Sequence, residues 1–178
     1  RDENVKIATL KSGQNKSVII EALDKGLITP LNPELPLDKK TIKDTTNIVA
    51  LAGVEQIQAA LDTGADIVIA GRTTDTALMA ALPISKGCHK GGAWHGAKIA
   101  ECGALATTNP NSGVILMSFD DKGFTITPMA PDATATPETV SAHMLYENVN
   151  PYILYEPGGY LDVEDAKYWP VDEKSVRV

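Results

Sequence analysis

Cysteine is scarce: the 178 residues include only Cys88 and Cys102. They are not spaced as Cys-x-x-Cys, and no Cys/His cluster has zinc-ligand spacing. Neither a disulfide scaffold nor a zinc module is indicated, so a reducing cytosol is the default compartment. Basic charge is also short. The net charge is -7, and no Lys/Arg run relieves it locally. That argues against a nucleic-acid partner, whose phosphates need a basic surface. No apolar stretch approaches the roughly 18 residues of a membrane span. The opening Arg1-Asp2-Glu3-Asn4 is too charged for a signal peptide. It also lacks an initiating Met, so a fragment or a processed piece is expected. There is no internal repeat and no low-complexity tract.

Several catalytic signatures are missing too. No Gly-Lys-Ser/Thr follows a glycine at Walker A spacing, and no Gly-x-Gly-x-x-Gly supports a dinucleotide fold. No Gly-x-Ser-x-Gly elbow exists, which disfavours a serine hydrolase.

What is present is ordinary for a globular protein: 43% hydrophobic and 22% charged residues. A chain of this length buries a real core without metals or disulfides. Val5 to Leu10 reads as a short buried strand. Ser17 to Lys25 reads as a helix stopped by Gly26. With Pro30 just before it, Asn32 to Pro36 is a proline-rich loop. Asn47 to Ala52 is a second apolar run, and Val54 to Asp62 a second amphipathic helix ended by Gly64. Ala65-Asp66-Ile67-Val68-Ile69-Ala70 is the clearest strand, with the β-branched run of a parallel sheet. Thr76 to Leu82 begins a helix before Pro83. This alternation is the mark of βαβ units. Gly87 to Gly92 is expected as a loop and Ala93 to Ala106 as a helix. Gly113 to Pro128 alternates around Asp120-Asp121-Lys122-Gly123 as a β-hairpin. Thr136-Pro137-Glu138 opens a helix reaching about Asn148. Short strands and turns follow from Tyr152 to Val178. The expected class is α/β: three layers, a mostly parallel sheet, and a β-rich C-terminal portion. The expected division is an α/β region over 1–110, with a hairpin–helix–hairpin portion over 111–178 packing on it.

Gly71-Arg72-Thr73-Thr74-Asp75 follows a parallel-type strand and precedes a helix, where open α/β sheets bind ligands. Unpaired N–H groups and the positive dipole end favour anions there. Arg72 adds a fork for carboxylate or phosphate. Thr73 and Thr74 offer hydroxyls, and Asp75 a base. The alternative is a cap formed by Thr74 or Asp75 and an ion pair for Arg72. Lys11-Ser12-Gly13 ends the first strand and faces the same crevice, or is a solvated turn. His95, Lys98 or Ile99, and Cys102 share a helical stripe, with Glu101 pointing away from His95. Two turns separate His95 from Cys102, roughly 10 Å, too far for a direct bond. Cys102 therefore fits a small core residue as readily as a site residue. His143 and Glu147 are four apart and share a helix face. Two ligands from one helix are not a metal site without a third, so an ordinary polar pair is expected and no metal. Gly91-Gly92 suits either close approach to a ligand or flexibility.

Three stretches together resemble the acyclic terpene utilisation family, bacterial proteins whose founding members belong to a terpenoid degradation pathway. They are Gly64-Ala-Asp-Ile-Val-Ile-Ala-Gly71-Arg72 with Asp75; Ala93-Trp94-His95 to Glu101-Cys102-Gly103-Ala104; and Ser141 to Glu147 with the closing Val176-Arg177-Val178. The resemblance runs from about Lys6 to the end. It implies a cytoplasmic metabolic protein and supplies no reaction. The resemblance implies a glycine-rich strand–loop segment before the matched part and a continuation after Val178, so a fragment is expected. Arg72, Asp75, His95, Glu101 and Cys102 carry over as motif positions only.

Combined, these features predict an enzyme of small-molecule catabolism, terpenoid or carboxylic/acyl-CoA, acting on an anionic substrate. Gly71, Arg72, Thr73, Thr74 and Lys11 would bind it, and Asp75 and His95 would move protons. No cofactor is identifiable. The alternative is a non-catalytic binding or assembly subunit. A homo-oligomer, or association with the missing flanking segment, is expected in either case, because a truncated sheet exposes edges.

Overall fold

The computed structural model describes residues 4–30, 37–111, 113–156 and 158–178. The expected proline-rich loop at 32–36 lies outside them, as do Arg1 to Glu3. The fold mixes helices and strands in small sheets. Strand β1 (Ile7–Leu10) pairs in parallel with β2 (Ile67–Ala70), Ile7 opposite Ile67 and Leu10 opposite Ala70. Between them run helices α1 (Lys16–Asp24), α2 (Lys39–Asp44) and α3 (Val54–Leu61). Helices α4 (Asp75–Ser85) and α5 (Lys90–Ala100) follow β2. The hairpin β3 (Ile115–Phe119) and β4 (Phe124–Pro128) leads to α6 (Pro137–Ala142). A second hairpin, β5 (Ile153–Glu156) and β6 (Gly159–Asp162), precedes the two-residue strands β7 (Trp169–Pro170) and β8 (Val176–Arg177). One antiparallel sheet has the order β3-β4-β8-β7, and β5-β6 stands apart.

The mixed α/β class holds, but parallel pairing among the described residues is confined to β1 with β2 and a single bridge between Ala52 and Thr73. The pairs β3–β4, β5–β6 and β7–β8 are joined by short turns, which can close only antiparallel pairs. The β3–β4 turn is fixed by Asp120, whose carboxylate accepts from the N–H groups of Lys122 and Gly123.

Several boundaries differ from the sequence reading. Helix α4 runs through Pro83 to Ser85. A proline this close to the helix end removes a single backbone bond, and the buried ring of Pro83 still packs. Helix α5 begins at Lys90, so Gly91 and Gly92 are helical rather than loop. His89 caps the helix, its Nδ1 accepting from the N–H of Gly92 at 3.0 Å. A Cβ on Gly92 would meet the Cα of Gly123 at 2.8 Å, so glycine here serves close packing of the helix on the hairpin turn. Helix α5 stops at Ala100, and a 3₁₀ turn over Gly103–Ala106 completes the stretch expected as one helix. Helix α6 ends at Ala142 with a 3₁₀ turn over His143–Leu145, well short of Asn148. Glu147 then adopts φ 56°, which no right-handed helix contains. His143 and Glu147 therefore do not share a helix face.

Two cores result. One holds Val54, Ile57, Ala77, Ala80, Ala81 and Ala97 beneath β1 and β2. The other is built around Phe124, Ile126, Ile99, Val140 and Val176. Trp94 touches both, so α5 is their common wall.

Candidate active site

The turns leaving β1 and β2 meet at the carboxyl ends of the two parallel strands. A Cβ on Gly71 would lie 2.5 Å from the hydroxyl of Ser12. The 49–52 segment closes the floor: Ala52 donates to the carbonyl of Arg72 at 3.0 Å and accepts from Thr74 at 3.1 Å. Thr74 is the cap of α4, its hydroxyl accepting from Ala77 at 3.1 Å. The Thr73 hydroxyl donates to the carbonyl of Thr74 at 2.8 Å. Asp75 and Thr76, in the first turn of α4, keep N–H groups with no intrahelical partner. The side chains of Arg72 and Lys11 are exposed, and among the described residues neither makes an ion pair.

Behind this helix start lies a polar cluster drawn from four elements. Lys98 on α5 forms an ion pair with Glu101, both side chains nearly buried at 13% and 11% exposure. The other Glu101 oxygen accepts from the buried Thr76 hydroxyl at 3.0 Å. Glu156, at the end of β5, approaches the hydroxyls of Thr76 and Thr74, yet its Oε2 is buried with no hydrogen-bond partner. Burial holds its carboxyl above the ordinary range; the two hydroxyls oppose that shift and Glu101 reinforces it. His143 is buried with Nε2 likewise unpartnered, its ring stacked on Tyr146 at 5.7 Å. Burial and then Lys98 push its pKa down. Burial and then Glu101 push the Cys102 thiol up, which disfavours the nucleophilic thiolate. A cavity of about 310 Å³ opens on the cluster, lined by Lys98, Glu147, Asn148, Ile153, Tyr155 and Glu156. Orphaned buried polar atoms and a non-glycine residue at positive φ are features that gather at functional sites.

The family model described as acyclic terpene utilisation family protein AtuA matches residues 2–178. The chain belongs to the acyclic terpene utilisation family. No curated protein and no solved structure matches it at a significant level. The family's name associates its members with the use of acyclic terpenes.

In this member of the family, several motifs separate in sequence become neighbours. Thr74 and Thr76 at the start of α4, Glu101 and Cys102 at the end of α5, and His143 all bear on one cluster. His95 goes elsewhere. It is 4% exposed and edge-on to Phe124 at 5.3 Å, and its Nε2 is 3.0 Å from the Tyr168 hydroxyl. Burial lowers its pKa to about 4 and raises that of Tyr168 to about 12. Nor do Glu147 and His143 bond to each other. Sequence reasoning missed Glu156, Lys98 and Thr76 as members. Lys98 and Thr76 had a signal, lying in or beside motifs already singled out, whereas Glu156 sits in an unremarkable β-hairpin. Among the described residues, no three His, Cys, Asp or Glu side chains gather to hold a metal, and no helix is long and apolar enough to cross a membrane.

Proposed function

We propose that the chain is a cytoplasmic enzyme of terpenoid or carboxylic/acyl-CoA catabolism, and that the 71–75 turn receives the anionic end of its substrate. The supporting observation is an exposed Arg72 guanidinium, without an acidic partner among the described residues, at a helix start that adjoins the polar cluster. Arg72 and the free N–H groups of Asp75 and Thr76 supply the positive end. Gly71 keeps the turn close to Ser12, and Lys11 stands on the adjoining turn. The Thr73 and Thr74 hydroxyls shape the turn, and Asp75 borders it as a second acid. His95, in its apolar setting, supports the α5 wall. Isothermal titration with carboxylates and acyl-CoAs tests this. Arg72→Ala should weaken binding about tenfold or more, the loss expected for one charged hydrogen bond. Equal affinity removes Arg72 from the site.

A second reading is a homo-oligomeric binding or assembly subunit. It is favoured by one face of the parallel pair, where Ile7, Ile67 and Ile69 are 55%, 47% and 54% exposed. Ile7 and Ile67 lie directly opposite in register, and Ile69 follows two residues on. Sedimentation that finds an obligate oligomer with no ligand response supports this reading; a ligand-responsive monomer removes it.

A further inference from the structure

We infer that Glu156 is the residue that moves the proton in this site, with Lys98 and Glu101 as the pair that positions and tunes it, and that the reaction is proton abstraction next to a carbonyl group. This rests on the preceding reading that the 71–75 turn binds the anionic end of the substrate.

The geometry is a carboxyl with one oxygen sealed from water and unbonded, at the edge of a cavity that Lys98 also lines. A structural glutamate would be paired, because an unsatisfied buried acceptor is costly. Of the charged groups around it, Glu101 and Lys98 from α5 act on it directly. Glu147, after α6, lines the same cavity; Cys102 and His143 lie near Lys98 and Glu101, and Asp75 of α4 lies near Cys102. Of these, His143 is 95% buried and also unpartnered at Nε2, a second polar atom left open in the same cluster. The Thr74 and Thr76 hydroxyls approach the Glu156 carboxyl, but that of Thr76 is given to Glu101 and neither bonds Oε2. Desolvation and then the Glu101 charge favour the neutral acid and hold the carboxyl above its ordinary range.

The step balances without an oxidant. A Glu156 oxygen forms an O–H bond to the hydrogen on the carbon beside a carbonyl. The C–H electron pair moves onto the carbonyl oxygen as an enolate. The Lys98 ammonium, which lines the same cavity, stabilises that charge. Return of the proton from Glu156 to carbon completes the cycle. Solvent exchange of the Glu156 proton in D2O leaves deuterium on the product.

Two measurements test this. The first is a 13C NMR titration of carboxyl-labelled glutamates. It should show one carboxyl titrating above the rest, absent in Glu156→Gln and moved to lower pH in Glu101→Gln. A Glu156 carboxyl remote from Glu101 would not respond to Glu101→Gln. The second is deuterium incorporation into butyryl-CoA in D2O, followed by proton NMR. Glu156→Gln should reduce it by about 100-fold or more while leaving affinity for butyryl-CoA unchanged. Equal exchange by wild type and Glu156→Gln, zero included, overturns the proposal, as does a titration without the high-pH carboxyl. A wild type that binds butyryl-CoA without exchanging it overturns the role of Glu156 and leaves the anion site standing. Exchange that Glu156→Gln abolishes, with affinity unchanged in Arg72→Ala, overturns the anion site and leaves Glu156 standing.

Discussion

The two cores of this molecule are built from different material. Beneath the parallel strands, four of the six buried residues in the cluster are alanines: Ala77, Ala80, Ala81 and Ala97. In the C-terminal half the cluster is made of Phe124, Ile126, Ile99, Val140, Met144 and Val176, with Trp94, Met117 and Phe119 against it. Alanine brings helix backbones close but buries little area for each residue ordered, whereas a fully buried Phe or Ile contributes about 1.5–3 kcal/mol. Stability is thus concentrated in the C-terminal half, while α3, α4 and α5 pack closely on small side chains. Helix α5 belongs to both and carries Lys98 to the cluster from the more heavily packed side.

Removing the largest anchor should break that contrast most severely. Phe124 is fully buried, in edge contact with His95 and tilted against Phe119 at 6.0 Å. Phe124→Ala should lower stability by about 3–5 kcal/mol through lost burial and a residual cavity. Denaturant unfolding measures it. A loss under about 1 kcal/mol would mean the core relaxes freely and the C-terminal half is no anchor.

The next effect appears as pH dependence. His95 is held neutral by burial, its pKa near 4 against an ordinary 6.5. The unfolded chain therefore binds more protons than the folded one between those values, and stability falls as pH falls. The contribution is complete above about pH 6.5 and lost progressively down to about pH 4, with a total of order 3 kcal/mol. His95→Gln should flatten the stability curve over that interval. An unchanged slope would show that the imidazole takes up its proton without disturbing Phe124 or Tyr168.

Filling the lighter core tests the comparison from the other side. Ala80 has no exposed surface and sits among close-packed helices. Ala80→Leu should destabilise by about 1–3 kcal/mol, since overpacking forces backbone shifts. Because α4 would be pushed, Thr76 should lose its bond to Glu101, and deuterium exchange into butyryl-CoA should fall with stability. A stabilised variant would reveal slack in this core, contrary to its alanine packing.

How much of this was legible beforehand follows from the range of each interaction. The β-branched run ending at Ala70, the glycine at 71 and the threonine cap at 74 are local signals, and they locate β2, its turn and α4 within a residue or two. The turn at Asp120 to Gly123 declares itself equally locally. The lost boundaries were decided by tertiary contact. Gly91 and Gly92 read as a loop until Gly123 is seen packed against Gly92. The helix after Thr136 tightens to a 3₁₀ turn after Ala142, and Glu147 at positive φ precludes its continuation to Asn148. His95 and Cys102 lie on one stripe in sequence, but helix α5 spans two cores, so its two ends serve different neighbours. Glu156 was invisible because nothing around it in the chain is unusual; only the fold brings it to Thr74 and Thr76.

The smallest expected effect concerns how the closing strand is held. Arg177 on β8 donates two hydrogen bonds to Asp120 in the β3–β4 turn, at 2.7 and 2.6 Å. Its guanidinium holds the Asp120 carboxyl well below the usual carboxylate range. Yet the Asp120 side chain is 50% exposed, so solvent and salt screen the pair. The neighbouring Val176 has no exposed surface, and Phe124 and Val178 exchange backbone bonds at 3.0 and 2.9 Å. Packing and the ladder should therefore hold β8, with Arg177→Ala reducing stability by about 0.2–1 kcal/mol. A depressed carboxylate contributes above its unfolded value of 3.8 and loses that contribution as pH falls through the lower folded value. Asp120→Asn should therefore remove this small contribution above about pH 4 and change the slope of the stability curve only below it, separate from the His95 interval. A loss of several kcal/mol at neutral pH that high salt does not reduce would make this ion pair, rather than Val176, the anchor of the C-terminal core.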